Sequence, residues 1–359
     1  MKVLQVINSL GIGGAEKLIV DSILCYAGSG CEVDVLLLNG KETHFKSVLQ
    51  KHGVRVFSLG KENNIYNPLL IAKLVPFLKK YEVVHVHLFP AQYWVAVASL
   101  FLRKKIRLIT TEHNTTNRRR SIWGFKWIDR LVYKRYDRVV AISPQTKQAL
   151  ADYIGDIEIR TILNGVNIKR FQIAGPYPGK DFLDVNSQDV VIIQVAGFRT
   201  QKDQDTVIRA VAQLPGNYHL CLVGDGPRRR TCEEMVRELN VSERIHFLGL
   251  REDIPELLKS ADIVVMSSHW EGFGLAAVEG MAAGKPVIAS DVSGLAEIVK
   301  DYGLLFKTGD AHALALLIGQ LSEDAAFYGE VASHCAARAR DFDLKKMVKE
   351  YGRLYKELC

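Results

Sequence analysis

Short apolar runs alternate along the chain with amphipathic stretches that repeat with the period of a helix. Several apolar runs are predicted as strands: Val3–Ile7, Val33–Leu38, Val83–His87, Leu108–Thr111, Arg138–Ile142, Val190–Ala196, His219–Val223, Ile245–Phe247, Ile263–Ser267 and Val287–Ser290. Stretches such as Ala15–Cys25, Pro68–Lys80 and Asp205–Gln213 are predicted as helices between them. This alternation predicts an α/β protein whose parallel sheets are covered by helices on both faces.

The pattern weakens in residues 171–189, which are rich in Gly, Pro and Asp and are typical of a linker. Because strands occur on both sides of this stretch, we expect two doubly wound, Rossmann-like domains, formed by residues 1–170 and 186–342. Such domains bind ligands at the carboxyl ends of their strands, and we expect these ends to face a central cleft. Residues 343–359 are predicted as an amphipathic helix that either domain could hold.

The composition is that of a globular protein without a membrane-spanning segment. The chain has 359 residues, of which 48% are hydrophobic and 24% are charged, as in globular rather than disordered proteins. The longest apolar run, Trp94–Leu102, is about half a membrane span, and the N-terminal run is too short for a signal peptide. We therefore expect a cytoplasmic protein. The six cysteines lack the spacing of zinc ligands, so free thiols are expected.

The net charge of +7 is unevenly distributed. The stretch Arg103–Arg138 contains twelve basic and three acidic residues, and within it Trp123, Trp127 and Leu131 recur at helical spacing. A basic helix with tryptophans can lie on an anionic membrane surface, whereas the same stripe could also be the buried side of an ordinary helix. We expect peripheral contact with the inner face of a membrane. Nucleic acid is not expected as a partner, because these aromatic residues are predicted to be buried rather than available for base stacking.

Two glutamates, Glu271 and Glu279, flank a Gly-Phe-Gly turn at the start of the predicted helix Leu275–Ala283. Eight helical positions span about 12 Å, so the two carboxylates suit the ends of an elongated ligand rather than a shared proton. The free amides of the helix N-terminus favour an anion between them, and the glycines permit its close approach. This pattern describes a nucleoside diphosphate sugar, with Glu279 at the ribose and Glu271 at the sugar. Two ordinary surface glutamates would have the same spacing.

Two cations, Arg199 and Lys202, follow the predicted strand that ends at Ala196. They lie where ligands of such folds bind, and two fixed cations there could neutralise the charge that develops on a departing diphosphate. Exposed loop cations are the simpler interpretation.

Two glycine turns are weaker signals. Residues 11–14 open the first predicted helix and offer amides to a phosphate or a sugar, although Glu16 stands where the dinucleotide-binding fingerprint requires a glycine. Residues 222–227, with the sequence LVGDGP, join a strand to a turn and are equally ambiguous.

Two further polar features allow more than one interpretation. Asp203 and Asp205 could hold a divalent metal, but they directly precede a helix, where aspartate is a favoured cap, and no metal is expected. His113 ends a predicted strand and could act as a general acid, a general base or a hydrogen-bond donor to a sugar. A lone loop histidine usually has none of these roles.

Together these segments resemble the retaining glycosyltransferases of family 4, which have the GT-B fold. The resemblance covers nearly the whole chain in order: GGAEK (13–17), TEHN (111–114), NGV (164–166), GFRTQKD (197–203), GDGP (224–227) and EGFGLAAVEGMAAGKPVIASDVSG (271–294). It implies that Glu279 binds the nucleotide ribose and Glu271 the donor sugar, while Arg199 and Lys202 bind the diphosphate.

The resemblance also implies supporting contacts. The backbone would approach the diphosphate at Gly13, Gly14, Phe273, Gly274 and Leu275, and the base at Gly226, Leu250 and Arg251. His113 matches the family's loop histidine beside the donor sugar, and the C-terminal helix would return to the first domain. Family members often have a second glycine and a proline around Gly294, where this chain has SGLAE.

The implied reaction is transfer of a hexose or N-acetylhexosamine from a nucleotide sugar, with retention at the anomeric carbon and without a cofactor or metal. A UDP-sugar is the first expectation for the donor and GDP-mannose the second. The expected acceptor is a lipid-linked glycan in bacterial surface-polysaccharide synthesis. A nucleotide-sugar 2-epimerase, a glycosidase and a non-catalytic nucleotide-sugar-binding protein are the alternatives.

Overall fold

The computed structural model describes the chain except residues 12, 27–29, 62–63, 105, 116–117, 181–182 and 184. The described residues form two units: a first unit of Met1–Gly165 with Leu344–Cys359, and a second unit of Val166–Asp343. The chain therefore enters the second unit before the predicted linker 171–189. The physical reason is that a helix at Ile168–Ile173 packs within the second unit, where Phe171 is buried.

The first unit contains, within its described residues, a sheet of seven parallel strands. These are β1 (Lys2–Ile7), β2 (Glu32–Leu37), β3 (Val56–Ser58), β4 (Val83–His87), β5 (Arg107–Glu112), β6 (Arg138–Ala141) and β7 (Ile159–Thr161), in the order β3-β2-β1-β4-β5-β6-β7. Its helices are α1 (Gly14–Cys25), α2 (His44–Lys51), α3 (Leu70–Leu78), α4 (Ala91–Ser99), α5 (Phe125–Tyr133) and α6 (Pro144–Ile154).

The second unit has, among the residues described, a sheet of six parallel strands. These are β8 (Val190–Val195), β9 (Tyr218–Val223), β10 (Ile245–Gly249), β11 (Ile263–Met266), β12 (Val287–Ser290) and β13 (Leu304–Phe306), in the order β10-β9-β8-β11-β12-β13. Its helices are α7 (Ile168–Ile173), α8 (Gln204–Ala212), α9 (Arg229–Glu238), α10 (Ile254–Ser260), α11 (Leu275–Ala282), α12 (Ala296–Val299), α13 (Ala311–Glu323) and α14 (Ala325–Ala339).

Both sheets are doubly wound, and the predicted fold class is confirmed. The strand order reverses between β1 and β4 in the first unit and between β8 and β11 in the second. Ligands of open parallel sheets bind outside the carboxyl ends of the strands at such a reversal, because the loops there diverge to opposite faces of the sheet. The residues that follow β8 and β11 are therefore the first place to look for a site.

The last helix, α15 (Leu344–Leu358), packs against α1 of the first unit. Its apolar face repeats at helical spacing and buries Leu354 and Tyr355 completely. None of the helices formed by the described residues has the length and hydrophobicity of a membrane-spanning segment.

Candidate functional site

The predicted residues Lys202 and Glu271 meet at the strand reversal of the second sheet. Lys202 ends a short turn after β8, and Glu271 lies in the loop after β11, the neighbouring strand. The Lys202 ammonium donates a hydrogen bond to Glu271 Oε1, which also accepts one from the Ser268 hydroxyl at 3.0 Å. Glu271 is only 7% exposed, so its charge is balanced inside the protein rather than by bulk water.

Buried polar side chains hold the two loops together. Ser267 Oγ contacts the carbonyl oxygens of Lys202 and Asp203 at 3.0 and 2.7 Å. Gln194 Nε2 donates to Lys202 O and to Ser267 Oγ, both at 3.0 Å. These bonds fix the backbone that carries Lys202. Nothing in the local sequence pattern marks Gln194, Ser267 or Ser268, because their role depends on the pairing of β8 with β11.

Arg199 begins the turn that Lys202 ends, and its side chain is exposed. Its amide bonds to the Gly197 carbonyl at 2.9 Å, and the Lys202 amide bonds to the Arg199 carbonyl at 2.9 Å. The tight turn therefore keeps both cations on one loop, one exposed and the other held by a carboxylate.

The N-terminus of α11 lies directly after Glu271. Gly274 precedes the helix with φ +77°, and a Cβ there would lie 2.5 Å from the Leu295 side chain, so this position requires glycine. Phe273 is buried against Phe342, with ring centroids 5.4 Å apart. The first amides of a helix have no partner within it, which makes this end, including Leu275, suited to an anion. Glu279 is buried inside the same helix.

Gly294 lies directly against the backbone of Glu271, a contact that the sequence interpretation missed. It follows β12 with φ +91°, and a Cβ at this position would overlap the carbonyl oxygen of Glu271. Its amide donates to Glu297 Oε2 at 2.6 Å. The loop after β12 thus lies against the backbone of Glu271, although the second glycine and the proline expected here are missing.

The loops after β9 and β10 complete the same edge of the second sheet. Gly226 has φ +158°, and a Cβ there would lie 2.5 Å from the Phe198 carbonyl, which places this loop beside the cationic turn. Leu250 is exposed, and the Arg251 guanidinium binds the Asp253 carboxylate at 2.8 and 2.5 Å. This contact lowers the pKa of Asp253 to about 2.

The two aspartates after Lys202 are both engaged by protein groups. Asp203 directly precedes α8, and its carboxylate accepts a hydrogen bond from the Thr206 hydroxyl at 2.6 Å. Asp205 accepts two bonds from Arg228, at 2.8 and 2.6 Å. The first contact stabilises the first turn of α8, and the second joins that turn to the loop after β9.

The first unit holds the remaining predicted residues. Gly13 and Gly14 begin α1, and a Cβ at Gly13 would overlap the Glu16 carboxylate. His113 follows β5, and its Nε2 lies 3.0 Å from Nδ1 of His87. Burial lowers the pKa of His113 to about 4, so its ring is uncharged near neutral pH.

Comparison with known proteins assigns the family. The model of the "Glycosyltransferase Family 4" domain matches residues 12–170, and that of "Glycosyl transferases group 1" matches residues 180–342. The crystal structure of Anabaena HepE in complex with UDP and glucose has a TM-score of 0.88 and 26% identity to this chain, and covers 99% of both chains. The chain is a GT4-type glycosyltransferase.

Curated relatives of this glycosyltransferase have names that refer to different products. The N-acetyl-alpha-D-glucosaminyl L-malate synthase of Bacillus anthracis is 27% identical over 289 residues, which are 76% of this chain and 74% of the relative. The lipopolysaccharide core biosynthesis mannosyltransferase LpsB of Rhizobium meliloti is 27% identical over 72% of this chain and 74% of its own. The two names refer to different sugars, so the family assignment does not select the donor.

The basic stretch of the glycosyltransferase corrects one expectation. The apolar stripe is exposed rather than buried: Trp123 is 99% exposed, Trp127 72% and Leu131 68%. The face of α5 that packs inward instead carries Asp129, Val132 and Tyr133. Both stripes have helical spacing, so periodicity alone cannot tell which one faces the core.

Buried charges explain the orientation of α5. Asp129 is fully buried and accepts hydrogen bonds from Arg119 Nε at 3.0 Å and from the Tyr153 hydroxyl at 2.9 Å. Arg120 forms an ion pair with the buried Glu112 at 3.3 Å. Two arginines of the basic stretch therefore anchor it, while Trp123 and Trp127 point outward.

Proposed function

We propose that this glycosyltransferase moves a hexose or an N-acetylhexosamine from a UDP-sugar to a lipid-linked glycan, with retention at the anomeric carbon. The contact between Lys202 and Glu271 carries the proposal. It brings together, at the strand reversal and next to the N-terminus of α11, a cation suited to phosphate and a carboxylate suited to hydroxyl groups. Complexes of HepE with UDP-glucose support a UDP-linked donor.

The donor lies across the N-terminus of α11 in this proposal. Lys202, Arg199 and the amides of α11 bind the diphosphate, since cations and helix N-termini both favour phosphate oxygens. Glu271 accepts hydroxyl groups of the sugar, and Glu279 accepts those of the ribose. The base lies near Gly226 and the backbone of residues 250–251.

Retention follows from attack on the same face as the leaving group. The acceptor oxygen bonds to the anomeric carbon as the bond from that carbon to the phosphate oxygen breaks, and the phosphate oxygen takes the acceptor proton. Arg199 and Lys202 stabilise the charge that develops on the diphosphate. Glu271 is engaged by Lys202 and Ser268, which supports a binding role rather than that of a covalent nucleophile.

A membrane surface is the proposed location of the acceptor. We define the tryptophan surface as the exposed residues Ile122, Trp123, Lys126, Trp127, Ile128, Leu131, Lys134 and Arg135. Exposed aromatic and aliphatic side chains beside lysine and arginine fit the interfacial region of an anionic bilayer. The tryptophan surface therefore supports peripheral binding at the cytoplasmic face, where a lipid-linked acceptor would be within reach.

A donor panel tests the proposal. Thermal shifts with UDP-, GDP- and other nucleotide sugars identify the donor, because a bound ligand stabilises the fold by mass action. Glu279→Gln should weaken binding of every donor with the same nucleotide, whereas Glu271→Gln should mainly lower the transfer rate. Glu330→Gln, on the exposed side of α14, is the control and should change neither.

The product distinguishes the alternatives. Retention of the anomeric configuration, assigned by NMR, supports the proposal. An epimerised sugar released from the donor alone, or full activity in both glutamate variants, would contradict it.

A further inference from the structure

A cluster of buried polar side chains lies at the carboxyl ends of β1, β4 and β5 in the first unit. Gln5, His85, His87 and Thr111 are each at most 4% exposed. Burying such groups costs several kcal/mol unless they are hydrogen-bonded, on the order of 2–7 for each group. All four are hydrogen-bonded, and the bonds form two branches that meet at the Tyr355 hydroxyl.

The first branch leads from Gln5 through His87 to His113. The carbonyl oxygen Oε1 of Gln5 faces His87 Nε2 at 2.7 Å, and the amide Nε2 of Gln5 donates to the Tyr355 hydroxyl at 3.1 Å. His87 Nε2 therefore carries the hydrogen. A neutral imidazole then accepts at its other nitrogen, so His113 Nε2 donates to His87 Nδ1 across 3.0 Å. This leaves the lone pair of His113 on Nδ1.

The second branch does not include His113. His85 Nδ1 contacts the Tyr355 hydroxyl, and His85 Nε2 contacts the Thr111 hydroxyl, both at 2.7 Å. Thr111 in turn bonds to the Tyr351 hydroxyl at 3.0 Å. His85 lies two residues before His87 on β4 and is equally buried. Its ring nitrogens bond to Tyr355 and Thr111 rather than to His87 or His113, so it provides a control of the same residue type, strand and burial.

The surroundings keep the histidines uncharged. A small cavity beside them is lined by the three histidines and by Tyr26, Tyr351 and Tyr355 as its titratable groups. No carboxylate or ammonium group belongs to this lining among the described residues. Burial lowers the pKa of His85 to about 3 and that of His87 well below its ordinary value. The hydrogen positions deduced above therefore apply near neutral pH.

We propose that His87, oriented by Gln5, is a positioning residue that holds His113 with Nδ1 free to accept a hydrogen bond from a sugar hydroxyl. The inference rests on the proposed function and on the resemblance to family 4 glycosyltransferases, which implies that His113 lies beside the donor sugar. It makes His113 an acceptor at Nδ1, where the sequence interpretation suggested a donor as one of three roles. Without His87 the ring can rotate or change tautomer, and a misplacement of this kind costs about 100-fold in rate.

Paired substitutions of the two histidines test the inference in the full chain. His87→Leu should lower kcat/KM about 100-fold, as expected for a misplaced group. His87→Asn, which keeps an acceptor at the position of Nδ1, should restore most of that loss. His85→Leu should lower stability as much as His87→Leu without a comparable loss of kcat/KM. Equal losses of kcat/KM in the two Leu variants would overturn the proposal.

A second measurement does not depend on turnover. In ¹⁵N NMR spectra of the wild-type protein His113 should carry its hydrogen on Nε2, and Gln5→Met, which removes the acceptor of His87, should give a mixture of tautomers. A wild-type His113 with its hydrogen on Nδ1 would overturn the positioning role while leaving glycosyl transfer intact. Absence of transfer from every nucleotide sugar, with the expected tautomer present, would instead count against the proposed function.

Discussion

The ammonium group of Lys202 binds the carboxylate of Glu271, although the two residues are separated by 69 positions in the sequence. Both side chains are largely removed from solvent, with 22% and 9% of their surfaces exposed. Each charge is therefore compensated mainly by the other. In the proposed reaction, donor binding exchanges this ion pair for contacts with a diphosphate and a sugar. The two residues therefore contribute to stability in the free protein, through the pair, and to affinity in the complex, through the donor.

Removal of Lys202 should destabilise the second unit. Lys202→Met leaves the Glu271 carboxylate buried without its cation, which costs about 3 kcal/mol in the free energy of unfolding. The double variant Lys202→Met/Glu271→Gln should lose less unfolding free energy than the sum of the losses in Lys202→Met and Glu271→Gln, because neither charge remains. Urea denaturation of the wild type, the two single variants and the double variant measures this coupling. Arg230→Met, which breaks the exposed pair with Glu234, is the control and should cost less than about 1 kcal/mol. Strict additivity in the cycle would contradict the interpretation.

Gly294 should tolerate no side chain. Gly294→Ala would force a Cβ against the Glu271 carbonyl, displacing Glu271 and lowering both stability and transfer. Gly284→Ala is the matched control, because Gly284 has a similar positive φ of +78° but no atom within 4 Å of a Cβ. Both variants carry the strain of about 1 kcal/mol for alanine in this region. Thermal unfolding and transfer assays should show a larger loss for Gly294→Ala, and similar losses would mean that the overlap is relieved at little cost.

Stability should fall on acidification below about pH 6.5. Burial lowers the pKa of His85 to about 3 and that of His113 to about 4, whereas histidine in an unfolded chain titrates near pH 6.5. Below that value the unfolded state binds protons that the folded state does not, so the stability present above pH 7 is lost as the pH falls.

Between pH 7.5 and 5.5, each such histidine should lower the free energy of unfolding by about 1.4 kcal/mol. Urea denaturation at the two pH values measures this difference, and His85→Asn should reduce it by the contribution of one histidine. If His85→Asn left the pH dependence of the unfolding free energy unchanged, His85 would have the same pKa in the folded and unfolded states.

Vesicle binding should depend on the tryptophan surface. Trp123→Ser and Trp127→Ser remove large, mostly exposed rings, so the double variant should fold normally and bind anionic vesicles more weakly. Co-sedimentation with vesicles of anionic or neutral lipid measures the effect. Leu316→Ser, at an exposed apolar residue of α13, is the control and should leave binding unchanged. Equal binding of wild type and double variant would exclude this surface as the contact.

The interior strands were predicted within two residues of their observed bounds, whereas β3, β7 and β13 were missed. The interior strands are buried on both faces and appear in the sequence as continuous apolar runs. The missed strands have three residues each and lie at sheet edges, where one neighbour suffices and no long apolar run is needed.

The sequence by itself determined the doubly wound fold class and the choice of candidate site residues, because both rest on local patterns: alternating strands and helices, glycines at turns, and charged residues after strands. Only the tertiary structure decided which groups meet. The pairing of β8 with β11 brings Lys202 to Glu271, β12 brings Gly294 against Glu271, and β1 beside β4 brings Gln5 to His87. It also decided that Asp129, not Trp127, faces the core, because a buried charge is tolerated only where partners from other elements surround it.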